Sequence, residues 1–192
     1  MKKMFKNKPT VSARIGLLIA NAVTEMGYSS KSLSTVTGFE SAITADSDAR
    51  IPLHIENQFW DEAAKTCNDT DFGLHAAEFV RPGAFDVLDY AVRTAPTLGS
   101  ALSRMVRYNS LLHDLAVFNV IDRSDTVTVE HHFGFADISP CRHASEFTLA
   151  SLLVIGKQIT GQSLNPLAVT FSHSKPVHLT EHLRIFGVKP VF

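Results

Sequence analysis

Residues 115–135 read LAVFNVIDRSDTVTVEHHFGF, and in this stretch the helical spacing of the preceding sequence changes to that of β-strands. Its first part, residues 115–122, is rich in β-branched and aromatic side chains, and a polar turn follows at residues 123–125. The next residues alternate, with the following side chains on one face: Val127, Val129, His131, Phe133 and Phe135. Strict alternation is the period of a strand buried on one side. The stretch therefore predicts a β-hairpin whose second strand turns an apolar face, interrupted by one histidine, towards the core.

Helical spacing flanks the hairpin on both sides. Before it, apolar stripes predict helices over residues 11–26, 31–37, 52–67, 71–79, 85–93 and 98–112. After it, the pattern predicts a helix over residues 143–160, a strand over 167–173, a short helix over 180–186 and a strand over 188–192. The order predicts an α+β fold, in which a helix-rich N-terminal part precedes a β-β-α-β-α-β, mostly antiparallel sheet covered by helices.

Composition limits the classes of protein and of partner. The chain has 192 residues, of which 45% are hydrophobic and 19% charged, so it can bury a core of its own. A small polar segment at residues 41–48 reads as a linker, and we expect a helical segment over residues 1–49 and a compact domain over 50–192. The formal net charge of −1 gives no support to a nucleic-acid-binding surface.

The expected compartment is the cytoplasm. Cys67 and Cys141 are far apart in sequence and suggest no disulfide framework, which fits a reducing environment. The basic N-terminus is followed by an amphipathic stretch broken by Arg14, which is not the apolar segment of a signal peptide. Because no apolar run reaches the length of a membrane span, we expect no contact with a membrane.

Motifs for catalysis and cofactor binding are not found. The sequence contains neither a phosphate-binding glycine motif nor the G-x-S-x-G motif, so we expect no enzyme and no cofactor, and a small hydrolase is the weakest alternative. His131 and His132 are neighbours on a strand and point to opposite faces. His178 lies outside the helix that carries His182, so we expect no metal site. A haem or gas sensor stays open as an alternative, with His113 or His143 as axial ligand.

A helix-turn-helix DNA reader is an alternative for the two N-terminal helices. The segment between Ser29 and Thr37 has one basic residue, Lys31, whereas DNA recognition needs several phosphate contacts. Packing of these helices into the fold is therefore the favoured interpretation.

From Arg50 onward, several blocks in order resemble one family, the arabinose-binding-type N-terminal domain of AraC/XylS-type transcriptional regulators. These blocks are RIPL at 50–53, Phe59-Trp60, DTDFGL at 69–74, LDYA at 88–91, APTLGSAL at 95–102 with Arg107-Tyr108, PLAVTFSH at 166–173 and FGVKPVF at 186–192. The chain departs from the family pattern at Asp89, where the family usually has glycine. The roles of Pro96, Thr97, Gly99 and Gly187 are expected to be structural, at helix ends and close helix contacts.

The resemblance implies a ligand-sensing and oligomerisation domain of a bacterial transcriptional regulator that responds to a small-molecule effector. The family's proteins continue into two helix-turn-helix units, which this sequence lacks, so we expect a sensor module that does not itself bind duplex DNA specifically. We expect a homodimer, with the helix over 143–160 as interface because Ala150, Ser151 and Gly156 allow close approach. The effector is left open among fatty, amino and aromatic acids.

The effector site is predicted between the strand over 126–135 and the helices that cover it. The predicted site residues are Tyr90, Arg93, Tyr108, His131 and Phe133. An acidic effector would pair with the guanidinium of Arg93. The alternative is that the tyrosines complete the core, that Arg93 faces water, and that His131 donates to a backbone carbonyl.

Overall fold

Helices and small antiparallel sheets alternate along the chain in the computed structural model, which describes residues 8–36, 49–134 and 140–192. The α+β class predicted from the sequence is confirmed. Phe135, the linker at 41–48 and the C-terminal end of the predicted helix over 31–37 lie outside the described residues.

The described residues form seven α-helices and four short strands. The helices are α1 (Ala13–Glu25), α2 (Leu53–Thr66), α3 (Phe72–Glu78), α4 (Asp86–Arg93), α5 (Leu98–Tyr108), α6 (Arg142–Thr160) and α7 (Thr180–Phe186), and the strands are β1 (Thr10–Ser12), β2 (Arg50–Pro52), β3 (Ala116–Asp122) and β4 (Val127–Phe133). The segments Ser30–Thr35 and Asn109–Leu111 are 3-10 helices, so the second predicted helix exists as this tighter form. None of the helices in these ranges is both long and apolar enough to cross a bilayer.

Strands β1 and β2 form an antiparallel pair that the sequence pattern did not predict. Three residues are too few for an alternation to show. Arg50 supports the pair, because its guanidinium donates to the Thr10 hydroxyl (2.8 Å), to the Leu111 carbonyl (3.0 Å) and to Asp114 (2.6 Å). This basic residue therefore connects the N-terminal strand, the entry to α2 and the segment before β3.

Strands β3 and β4 form the predicted hairpin, in antiparallel register with Phe118 opposite His131 and Ala116 opposite Phe133. Phe133 is buried, whereas Val127 at the turn is 53% exposed. The predicted apolar face is therefore buried only at the base of the hairpin, where Phe133 packs with Leu53 and Leu115.

The two predicted C-terminal strands do not join the β3–β4 sheet, which corrects the predicted topology. Residues 167–173 and 188–192 meet in one parallel bridge between Thr170 and Val191, apart from the β3–β4 hairpin. Pro166 and Pro190 remove backbone donors from this region, which limits a longer ladder. The segment is held by aromatic packing instead: the Phe171 ring lies 5.9 Å from Phe186 and 5.6 Å from Phe192.

The main core joins α1, α2, α3 and α6 around fully buried aromatic side chains. The Trp60 ring lies 5.1 Å from Phe147 and 6.1 Å from Phe72. Helix α1 contributes Ile19 and Val23 to the same core, both without exposed surface, so packing is indeed its role. Helix α6 approaches α3 at Gly73, where an added Cβ would lie 2.7 Å from the Cα of His143.

The small residues of α6 serve this internal packing. Ala150, Ser151 and Gly156 are buried within the chain, and a Cβ on Gly156 would collide with the Leu164 side chain. The expectation that these three residues form a dimer interface is therefore wrong, because their surface is already covered.

Candidate functional site

A cavity of about 140 Å³ is lined mainly by the α4–α5 pair, α6, the α2 residues Glu56 and Trp60, and the base of the β3–β4 hairpin. Ile15 of α1 and His113, which lies between α5 and β3, also line it. Its lining is mostly apolar. For scale, an engineered apolar cavity of about 150 Å³ holds a benzene molecule. The space therefore suits a small organic molecule or a compact part of a larger one.

The wall from α5 follows from the helical stripe seen in the sequence. Thr97 and Ser100 start this helix with a capping box, in which each side chain accepts from the other residue's backbone N–H. Leu98, Leu102 and Met105 then recur on the face that lines the cavity. The stripe looks like core in the sequence, but much of it faces this open space.

Two of the five predicted site residues, His131 and Phe133, line the cavity. Tyr90 is 74% exposed and Tyr108 37% exposed, and neither lines the cavity or completes the core. The helices that carry both tyrosines do form a cavity wall, but the tyrosines lie on their outer sides.

Arg93 is also absent from the cavity lining, and its side chain is occupied. Its Nε donates to Asp89 Oδ2 at 2.8 Å, and the side chain is 15% exposed, so it does not simply face water. Asp89 Oδ2 also accepts the backbone N–H of Gly83. Asp89 itself lines the cavity, and its Oδ1 is buried without a hydrogen-bond partner among the described residues.

His131 lies in an aromatic environment at the hairpin base. Its ring centroid is 4.8 Å from that of Phe118 and 6.2 Å from that of Phe133. Burial, the largest cause, lowers the pKa of His131 to about 4, so the ring is neutral near pH 7. Neither ring nitrogen is hydrogen-bonded within the described ranges, so the expected bond to a backbone carbonyl is not found there.

Glu56 is a cavity residue that the sequence analysis missed. It is only 5% exposed, and its Oε1 accepts the indole N–H of Trp60 at 3.3 Å. The available signal was a carboxylate four residues before Trp60, on the same face of a helix whose other residues on that face are apolar. Its other oxygen, Oε2, lies 3.4 Å from Nε2 of His113.

The protonation of His113 follows from its backbone contacts. Its Nδ1 accepts the backbone N–H groups of Leu115 (3.0 Å) and Ala116 (3.1 Å), so no proton is on that nitrogen. The ring is then a neutral tautomer with its proton on Nε2, the atom nearest to Glu56. The second haem candidate, His143, does not line the cavity, and its Nδ1 accepts the Gly73 N–H at 3.4 Å.

The charged groups that line the cavity therefore have one sign, which is negative. Two carboxylates and two imidazoles line it, but no lysine or arginine does in the part of the chain that the structure describes. An anionic ligand finds no lining cation here.

A second polar cluster lies between α3, α6 and α7. Asp71, Glu146 and His182 place ligand-type atoms within 4.8 Å of one another. The Arg142 guanidinium already contacts Asp71 at 2.6 Å and Glu146 at 2.8 Å, and His182 is hydrogen-bonded to Glu146 at 2.7 Å. Because Arg142 supplies the positive charge, we interpret the cluster as a network of ion pairs and hydrogen bonds that holds α7 against α6.

Residues 27–192 match the family described as the arabinose-binding domain of AraC transcription regulator, N-terminal. The chain belongs to this family. The resemblance seen in the sequence blocks is confirmed, and the family is one of regulator domains, not of enzymes.

The AraC-type domain is also similar to a curated regulator. Over 178 residues it is 24% identical to the ornithine utilization regulator of Pseudomonas aeruginosa. The match covers 91% of this chain and 51% of that protein, so the chain spans about half the length of its relative.

The structure assigns roles to several family-motif residues of the AraC-type domain. Thr97 caps α5 and Gly187 ends α7 in the left-handed region at φ 70°, as expected. Gly99 does not serve close packing, because a Cβ there would meet no atom within 4 Å. Asp89, which departs from the family's usual glycine, is the motif position that brings a carboxylate to the cavity.

Proposed function

We propose that this domain binds a small-molecule effector in the cavity between α5 and α6 and thereby regulates transcription by the protein to which it belongs. The observation that carries the proposal is a mostly apolar cavity with a few inward polar groups, in a domain of the AraC family. Ligand sites typically combine an apolar lining with a small number of placed polar groups.

The arrangement of the walls suggests how binding is transmitted. Helices α4 and α5 pack on each other, whereas α6 packs on α3, and the cavity has lining residues from both pairs. A ligand that contacts both walls stabilises the arrangement in which they are close. The shift that it can produce is limited by its difference in affinity between the two arrangements.

Further parts of the proposal concern partners. We propose a homodimer, and we propose that residues 1–192 alone do not bind duplex DNA specifically, since their net charge is −1. The relative's name refers to ornithine utilization, so amino acids belong among the first effectors to be tested.

The test is a thermal-shift screen of the 192-residue chain against amino acids, amines, fatty acids and aromatic acids, followed by titration of two variants. His131→Ala removes a cavity-lining ring, and His132→Ala removes its exposed neighbour on the opposite face of β4. We expect compounds that raise the melting temperature to bind His131→Ala at least about tenfold more weakly than the wild-type chain. Their affinity for His132→Ala should equal that for the wild-type chain. Equal affinities for both variants would place the binding site elsewhere.

A further inference from the structure

We infer that the effector carries a protonated amine, and that Glu56 and Asp89 are the residues that bind it. This inference rests on the proposed function, because it requires the cavity between α5 and α6 to be the effector site.

Glu56 is the carboxylate that most needs a partner. It is 5% exposed and lines the cavity, and among the described residues neither a lysine nor an arginine lines that cavity. Its Oε1 accepts from Trp60, and its Oε2 faces His113, whose ring is neutral because Nδ1 accepts two backbone N–H groups. A buried carboxylate without a cation is costly, and an ammonium group in the cavity would remove that cost.

Asp89 adds a second acceptor. Its Oδ2 is shared by the Gly83 N–H and Arg93, but its Oδ1 is buried and has no partner within the described ranges. The residue is 2% exposed and lines the same cavity. Since Arg93 balances the charge of Asp89, the lining keeps the single negative charge of Glu56, and the complementary ligand group bears one positive charge and donates hydrogen bonds.

The same charges disfavour a ligand whose only ionised group is a carboxylate. His131 is neutral, Arg93 is bound to Asp89, and Glu56 would repel an anion in a site of low dielectric constant. Fatty acids and simple aromatic acids therefore fit this cavity less well than amines, while an amino acid qualifies through its amino group.

The remainder of the ligand is expected to be apolar and compact. Phe118, Phe133, Met105 and Leu102 line the cavity near the hairpin and α5. A ring of benzene size fits a cavity of this volume.

The experiment compares three ligands that share a phenyl ring: benzylamine, benzyl alcohol and benzoate. Each is titrated by calorimetry at pH 7 into the wild-type chain, Glu56→Gln and Glu62→Gln. Glutamine at 56 keeps an acceptor for Trp60 and loses the charge, and Glu62→Gln removes the same charge from the same helix, outside the cavity lining. Melting temperatures of the unliganded variants confirm that each is folded.

We expect wild type and Glu62→Gln to bind benzylamine about tenfold or more tightly than benzyl alcohol, and benzoate weakest. Glu56→Gln should bind benzylamine and benzyl alcohol with affinities within about threefold of each other. If benzyl alcohol or benzoate binds wild type as tightly as benzylamine, the cavity is a ligand site but the amine inference is wrong. If none of the three binds, the cavity assignment falls together with the inference.

Discussion

At the residue scale, the cavity brings together two kinds of side chain: His131 and Phe133 from the inward face of β4, and the carboxylates Glu56 and Asp89 from two helices. Alternation along β4 predicted the inward position of His131 and Phe133. Tyr90 was misplaced because an aromatic ring on an amphipathic helix looks buried, although its side chain is 74% exposed. Glu56 was missed because a carboxylate on a helix is ordinarily solvated. Its spacing to Trp60 on the same helix was a local signal, but its contact with His113 comes only from the tertiary fold.

One prediction at this scale concerns His75, which fastens α3 to α7. Its Nδ1 lies 2.6 Å from Asp69 and its Nε2 lies 2.9 Å from Glu181. The hydrogen bond to Asp69, followed by that to Glu181, raises the pKa of His75 to about 9 despite its partial burial. Its stabilising contribution should be complete below pH 6.5, the ordinary pKa, and should be lost as the pH rises towards 9.

We therefore expect His75→Gln to lower the free energy of unfolding by about 1–2 kcal/mol at pH 6, after allowance for solvent screening, and by much less at pH 9.5. Urea unfolding at both pH values measures the difference. The matched control is His54→Gln, since His54 is exposed on α2. A stability loss that is the same at both pH values would show that the ion pairs do not depend on a protonated His75.

At the element scale, periodicity predicted the helices and the hairpin well, since each has enough residues to show its period. It failed for β1 and β2, which have three residues each, and for the C-terminal strands. There, Val169 and Phe171 look like a buried strand, but Phe171 packs on Phe186 of α7, and the backbone forms only one bridge in the described residues, between Thr170 and Val191. Apolar alternation reports burial, and it cannot tell whether the backbone groups beside it are paired.

The contact between α3 and α6 gives a prediction with an internal control. Gly73 and Gly99 each occupy the second position of a helix, α3 and α5 respectively. A Cβ at 73 would meet the His143 backbone, whereas one at 99 would meet nothing within 4 Å. We expect Gly73→Ala to destabilise the fold by about 1–3 kcal/mol, as measured by chemical denaturation.

Gly99→Ala should be neutral or slightly stabilising, because alanine has the higher helix propensity and its methyl group fits. Equal effects of the two substitutions would mean that α6 moves away from α3 at no cost, contrary to the packing described.

At the scale of the whole molecule, ordered sequence blocks were enough to recognise the family, whereas the residues that line the cavity could be predicted only in part. Blocks such as Phe59-Trp60 and APTLGSAL at 95–102, taken in order, resemble the family, but the cavity forms because α5 and α6 leave space between them. No local pattern encodes that space. The charges that line it come from distant positions, Glu56, Asp89, His113 and His131, which only the tertiary fold brings to one place.

Self-association belongs to this scale as well. We expect the chain to form a dimer at micromolar concentration, through a surface other than the buried small residues of α6. Light scattering coupled to size-exclusion chromatography measures the mass directly. A strict monomer across the accessible concentration range would contradict this expectation.

Binding of a small molecule between α5 and α6 can be observed in a crystal structure of the chain with the compound that gives the largest thermal shift. We expect ligand density in the cavity, in contact with His131 and with at least one residue of α6. Ligand density on another surface, with the cavity collapsed or filled by side chains, would contradict it.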